Sequence, residues 1–114
     1  ACPTCALSKE KGLDARRCLS YLTIEHRGDL PPFASKALSP CFYGCDRCQE
    51  ACPHNRFATP TACTDFHPSE ELLRMTPTDW ETLDRDTYQR LFKGSAVKRA
   101  KFEGLKRNIK AMTQ

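Results

Sequence analysis

No stretch of the sequence approaches the roughly 18 consecutive apolar residues of a membrane span, and no apolar signal segment opens it, so the chain reads as soluble and cytoplasmic. It has no glycine-rich phosphate loop and no Ser-His-Asp arrangement, which leaves a nucleotide-phosphate cradle or serine-type hydrolysis without residues to carry it. Apolar side chains are in short supply: they make up 39% of 114 residues, and the mean hydropathy is -0.60. The core is therefore expected to be thin, and a cofactor or staple would help to offset the entropy of ordering long connections. There is no internal repeat beyond a Cys-Pro pair that occurs twice, and no low-complexity tract.

Against these absences stand eight cysteines and eight prolines. The net charge is only +4, but it is unevenly spread. Between Lys93 and Lys110 the single acid is Glu103, among Lys93, Lys98, Arg99, Lys101, Lys106, Arg107 and Lys110, whereas 65–86 is mostly acidic. The sequence begins Ala1-Cys2-Pro3, without an initiator Met and inside what reads as a ligand motif, so a fragment of a larger protein is expected.

Segment by segment, 1–12 reads as irregular and ligand-bearing. Asp14 is placed to cap a helix over 15–22 that would carry Cys18, with Gly28 as its stop. Leu30-Pro31-Pro32 predicts an extended connection, and a weak helix follows at about 34–38. The dense run from Cys41 to Pro53 suits a loop leading into a short helix, and 55–68 reads as a surface linker. The last third has helical periodicity. Thr78 with Glu81, and Asp86 with Gln89, have capping-box spacing, and a final amphipathic helix is expected from about 96 to 112. Its inward stripe would be Phe102, Leu105, Ile109 and Met112, with Arg99, Lys106, Arg107 and Lys110 together on an adjacent face. The fold class is thus mostly α, α+β at most. A ferredoxin-like cysteine region at 1–57 would be followed by a linker at 58–76 and a helical tail at 77–114 with a basic last helix.

Iron-sulfur ligation needs thiolates that converge on a small inorganic cube, and bacterial ferredoxins supply them from the run C-x2-C-x2-C-x3-C-P, whose fourth cysteine serves the other cluster of a pair. Cys45-x2-Cys48-x3-Cys52-Pro53 reproduces the last three positions of such a run, and Cys2-Pro3 the tail of another. The two half-motifs imply a crossed arrangement: Cys2 joins Cys45 and Cys48, while Cys52 leaves for a second cluster. Phe42 occupies the place of the missing fourth ligand, which leaves Cys18 and Cys41 as candidates.

Competing readings are a disulfide framework, which nothing suggestive of secretion supports, and a tetrahedral four-cysteine zinc site made by Cys2, Cys18, Cys45 and Cys48. The repeated Cys-Pro ending favours iron and sulfide over zinc. Cys5, Cys41 and Cys63 read as ordinary thiols, and His54 as a residue packed beside the cluster or facing solvent.

Three strings carry a resemblance. The first is Asp14-Ala-Arg-Arg-Cys18-Leu-Ser-Tyr-Leu-Thr-Ile-Glu25. The second is Tyr43-Gly-Cys45-Asp-Arg-Cys48-Gln-Glu-Ala-Cys52-Pro-His-Asn55. The third is the pair Gly94-Ser-Ala-Val-Lys-Arg99 and Gly104-Leu-Lys-Arg-Asn108. Together they resemble the C-terminal half of the epoxyqueuosine reductase family, which is similar to the cobalamin-dependent reductive dehalogenases. The resemblance implies a cytoplasmic oxidoreductase that reduces epoxyqueuosine to queuosine in the anticodon of a tRNA, with electrons passing through two 4Fe-4S clusters to cobalamin. It assigns one cluster to Cys2, Cys18, Cys45 and Cys48, so that Cys18 is preferred to Cys41, and Cys52 to the other. It also implies that the cobalamin-binding half lies outside this sequence, so that the piece alone would not turn over, and that the partners are tRNA and an electron-donor protein, on a monomer. The basic residues Lys98, Arg99, Lys106, Arg107 and Lys110 are the expected tRNA contacts. The readings kept beside it are a non-redox zinc module that binds nucleic acid and a stand-alone ferredoxin-like carrier.

Overall fold

A computed structural model describes residues 1–114. Its helices are short because the sequence punctuates them so often. They are α1 (Leu19–Ile24), α2 (Pro32–Ala37), α3 (Arg47–Glu50), α4 (Glu70–Arg74), α5 (Pro77–Glu81), α6 (Arg85–Leu91) and α7 (Lys101–Thr113). The only sheet is a two-stranded antiparallel hairpin of β1 (Leu7–Ser8) and β2 (Gly12–Leu13), in which Leu7 pairs with Leu13 and Ser8 with Gly12. The chain is mostly helical, as its periodicity predicts. The hairpin lies in a segment expected to be irregular, since strands of two residues are too short to display alternation.

Local chemistry moves several boundaries. Asp14 does act as a cap, its Oδ1 accepting the Arg16 N–H at 3.1 Å, but it caps only a single 3-10 turn, Ala15–Arg17. The chain then extends at Cys18 (φ -74°, ψ 122°) and α1 starts afresh at Leu19, so Cys18 sits in the break between two turns and not within a helix. Helix α1 ends at Ile24, before Gly28 could stop it. Pro32 opens α2 as its first residue, where a missing N–H costs nothing; the diproline thus starts the helix as well as extending the chain before it.

In the tail both caps lie two residues earlier than the spacing suggests. The reciprocal box is Thr76 with Asp79 and not Thr78 with Glu81; Thr76 N–H donates to Asp79 Oδ2 at 2.8 Å and Asp79 N–H to Thr76 Oγ1 at 3.3 Å. Helix α6 is capped by Asp84, which accepts the Thr87 N–H at 2.7 Å, and not by Asp86. The segment 58–76 is not wholly connection either: it holds α4, capped by Ser69, and Leu72 and Met75 pack against the tail core. The last helix is divided into a 3-10 turn, Ala96–Ala100, and α7, with Lys101 in the left-handed region (φ 61°) at the corner.

Two cores result. The larger is aromatic: Leu83, Tyr88, Phe92, Leu105 and Ile109 are buried, with Trp80, Phe102 and Phe42 against them. Tilted ring pairs join Phe42 to Trp80 (4.8 Å between centroids) and Tyr88 to Phe92 (5.5 Å), and an edge-on pair joins Tyr88 to Phe102 (5.5 Å). The smaller core is Leu19, Leu22, Ala34 and Leu38, flanked by Phe33, Cys45, Ala111 and Met112. Helix α7 belongs to both: of its predicted stripe, Phe102, Leu105 and Ile109 face the larger core and Met112 the smaller. The molecule is a plate of 45 × 37 × 21 Å.

Candidate metal centre

All eight cysteines are unpaired. The backbone around the four expected to share a cluster is tied together by hydrogen bonds at two places. At the first, Thr4, which is buried, donates its hydroxyl to the Arg17 carbonyl at 2.5 Å, while Arg17 Nε returns a bond to the Thr4 carbonyl at 2.8 Å. This clamp joins the Cys2 segment to the residue preceding Cys18. The Arg17 guanidinium also lies 4.8 Å above the Phe33 ring, which fixes it from the other side. At the second, Gly44 N–H donates to the Thr23 hydroxyl at 3.0 Å and holds the loop before Cys45 on α1. Gly44 has φ 72°, a conformation that favours glycine, and the turn there leads into Cys45 and α3.

The sulfur of Cys2 is prepared for the thiolate form. It accepts the Ala6 N–H at 3.3 Å and lies 3.5 Å from the Thr4 hydroxyl. Burial pushes its pKa up, but the N–H groups of Ala6, Thr4 and Leu7 directed at the sulfur favour the thiolate, outweigh burial and bring it to about 7. Thiolate is the form that ligates iron or zinc.

Cys18 is half-buried at the head of α1, and Cys45 is half-buried against the smaller core. Cys48 is exposed on α3. Cys41 behaves differently: its thiol donates to the Tyr43 carbonyl at 3.1 Å and lies 3.4 Å from that of Gly44, closing its own turn. Cys52 precedes the 3-10 turn Pro53–Phe57, and its neighbour turn is held by Asn55, whose amide donates to the Gln49 carbonyl at 2.7 Å. Cys5 (φ 52°) and Cys63 are exposed. No three His, Cys, Asp or Glu side chains close around a point where one metal ion would sit. A four-iron cube is larger than one ion and spaces its thiolates more widely.

The basic tail is partly turned inward. Arg107 spends all five of its N–H donors inside the protein: Nε and Nη2 on Asn108 Oδ1 (3.0 and 2.8 Å), Nη2 on the Leu22 carbonyl (2.9 Å), and Nη1 on the carbonyls of His26 (3.0 Å) and Gly28 (2.7 Å). It serves the carbonyl end of α1, where a cation is favoured, and burial, together with the nearby Arg27 charge, lowers its proton affinity. Arg99 pairs with Glu25 at 2.9 Å, Lys98 bonds Gln89 at 2.8 Å, and Lys106 reaches the Glu81 carbonyl at 2.5 Å. Lys110 is exposed.

Residues that sequence reasoning passes over are Thr4, Thr23 and Asn108. The one available signal is Asn108, a polar residue wedged beside Ile109 in an otherwise apolar stripe.

The cysteine-rich front of this mostly helical chain has a counterpart among iron-sulfur proteins: residues 1–55 match the 4Fe-4S double cluster binding domain. Along nearly its whole length the chain is related to the epoxyqueuosine reductases. It is 42% identical over 109 residues to the epoxyqueuosine reductase of Cellulophaga algicola, 43% to that of Leadbetterella byssophila and 40% to that of Vibrio cholerae. In each case 96% of this chain is covered, but 36%, 35% and 30% of the relative, so the chain spans about a third of the length of these relatives. No solved structure matches it.

Proposed function

We propose that this chain is the iron-sulfur electron relay, and part of the tRNA platform, of a cytoplasmic epoxyqueuosine reductase that reduces epoxyqueuosine to queuosine in tRNA. One cluster would be held by Cys2, Cys18, Cys45 and Cys48, and Cys52 would give a single ligand to a second. The observation that carries this reading is the double clamp, Thr4 to Arg17 and Gly44 to Thr23, which joins three ligand-bearing segments distant in sequence. The donor chemistry fits: Cys2 is poised as a thiolate at about pH 7, and Cys41, the rival fourth ligand, is engaged as a donor within its own turn. A 4Fe-4S cluster takes up and releases one electron at a time, and its potential follows hydrogen bonds to sulfur and exposure to water.

Cobalamin would be bound mainly by the part of the enzyme that this chain does not span, and a separate donor protein would supply electrons. The enzyme would act as a monomer, and this segment by itself would not turn over. Contact with RNA would fall to Lys110, Lys106, Lys98 and Arg99, which can meet phosphates; Arg107 would add charge from behind rather than a free fork.

Anaerobic purification tests the metal identity. A brown protein with iron and acid-labile sulfide in equal amounts is expected; a colourless protein holding zinc would replace the redox reading with a structural one.

A further inference from the structure

Helix α7 places an amide in the middle of the protein, where its apolar stripe would otherwise run unbroken. Asn108 is fully buried and every polar atom of its side chain is used. Its Nδ2 donates to the Thr23 carbonyl at 2.8 Å and to the Phe42 carbonyl at 3.0 Å, while its Oδ1 accepts both the Nε and Nη2 bonds of Arg107. Thr23 is equally buried; its hydroxyl donates to the Leu19 carbonyl at 2.8 Å and accepts the Gly44 N–H at 3.0 Å.

This network has a direction. Phe42 and Gly44 are the third residue and the first before Cys45, and Thr23 lies five residues beyond Cys18 on the helix that Cys18 opens. Asn108 therefore bridges the loop that leads to Cys45 and Cys48 and the helix that begins directly after Cys18, and it does so from an element with no cysteine of its own. A buried amide is a costly way to join two segments. A buried polar group left unpaired destabilises the fold, whereas an apolar residue could fill the same space without that risk. What an apolar residue would not supply is a fixed register between loop and helix, because two directed bonds from one planar amide specify position in a way that dispersion contacts do not.

We infer that Asn108 and Thr23 are positioning residues for the iron-sulfur centre: they fix the Cys45–Cys48 loop against α1, whose N-terminal cap is Cys18, and Arg107 orients the Asn108 amide while closing the carbonyl end of that helix. The inference rests on the reading that Cys18, Cys45 and Cys48 are cluster ligands. It gives the last helix a task in the redox half of the molecule, separate from any contact with RNA.

The test uses the cluster-loaded protein and compares Thr23→Val, Thr23→Ser and Asn108→Ala with Phe92→Ala, which weakens the tail core but removes no hydrogen bond of this network. Iron release to a chelator is expected to be about ten- to hundred-fold faster in Thr23→Val and Asn108→Ala, the range typical when a group that supports a ligand is lost. The EPR g values of the reduced cluster and its midpoint potential should shift in the same two variants. Thr23→Ser, which keeps the hydroxyl, should restore all three readouts, and Phe92→Ala should leave the g values unchanged. Should Asn108→Ala fail to fold, the valine and serine pair at position 23 decides alone. Parental g values and release rates in Thr23→Val would overturn the positioning role, as would equal shifts in Phe92→Ala. A parent protein with no 4Fe-4S signal would instead overturn the ligand reading beneath it, and this inference with it.

Discussion

The tail from 77 to 114 buries five large side chains around a chain of aromatic rings, while the front, 1–57, has a core of only four residues, one of them alanine. Fully burying a large apolar side chain is worth about 1.5–3 kcal/mol, so the tail has apolar packing to rest on that the front has not. The front relies instead on directed bonds: the Thr4–Arg17 clamp, Arg47 donating to the Ala37 and Ser39 carbonyls at 2.9 and 2.6 Å, and Gly44 on Thr23. An order of dependence follows. The tail should fold by burial alone, and the front should become rigid when a metal cluster ties its thiolates together, because binding to the folded form alone adds to its stability.

The sharpest way to break this comparison is to remove a ligand. Cys18→Ser should lose most of the cluster iron, with a rise in backbone hydrogen exchange confined to the front, while Cys41→Ser keeps its iron; equal iron in the two would cancel the choice between them. Next in size is the opposite lesion. Phe92→Ala should lower the stability of the tail by about 4 kcal/mol, read by chemical denaturation, and leave the visible spectrum of the cluster in place.

A subtler probe concerns the metal-free front. The Cys2 thiol has its pKa lowered from 9.0 to about 7. Its stabilising contribution is therefore complete above the unfolded value, declines as pH falls, and is gone below the folded one. Alkylation of Cys2 followed by mass spectrometry should titrate with a midpoint near pH 7, as its lowered pKa requires, and Thr4→Val, which breaks the clamp to Arg17 that holds the segment of N–H groups around the sulfur, should move that midpoint upward; an unmoved midpoint would separate the clamp from the sulfur. The smallest expected effect is on RNA. Lys110→Glu should weaken tRNA association modestly and reduce the slope of log affinity against log salt by about 1, without altering iron content. An unchanged slope would take Lys110 off the RNA surface.

Much of this is legible from residue pattern. Helical character, the loop into α3, and the inward stripe of Phe102, Leu105, Ile109 and Met112 all follow from periodicity, which long-range packing reinforces. The caps of both tail helices fall two residues away from the predicted ones because Thr78-x-x-Glu81 and Asp86-x-x-Gln89 match the same spacing as the caps actually used; the choice is made by Pro77 at the first position of α5 and by Leu83 and Tyr88 reaching the core. The break between turns at Cys18 is invisible in the sequence, since nothing local distinguishes it from a continuous helix. The inward turn of Arg107 is hidden for a different reason: charge patterning counts guanidinium groups but says nothing about carbonyls from 79 to 85 residues away in sequence that come to meet them.

The plate-like outline has its own consequence for electron flow. In a body 21 Å thick, no buried redox centre can lie deeper than half that thickness from one broad face or the other. A donor docking on either side would reach it by a short tunnelling path, and so would dissolved oxygen. Shielding from air must then come from whatever is laid against the plate, which makes coverage of its faces, rather than depth within it, the factor that would govern how long the centre survives.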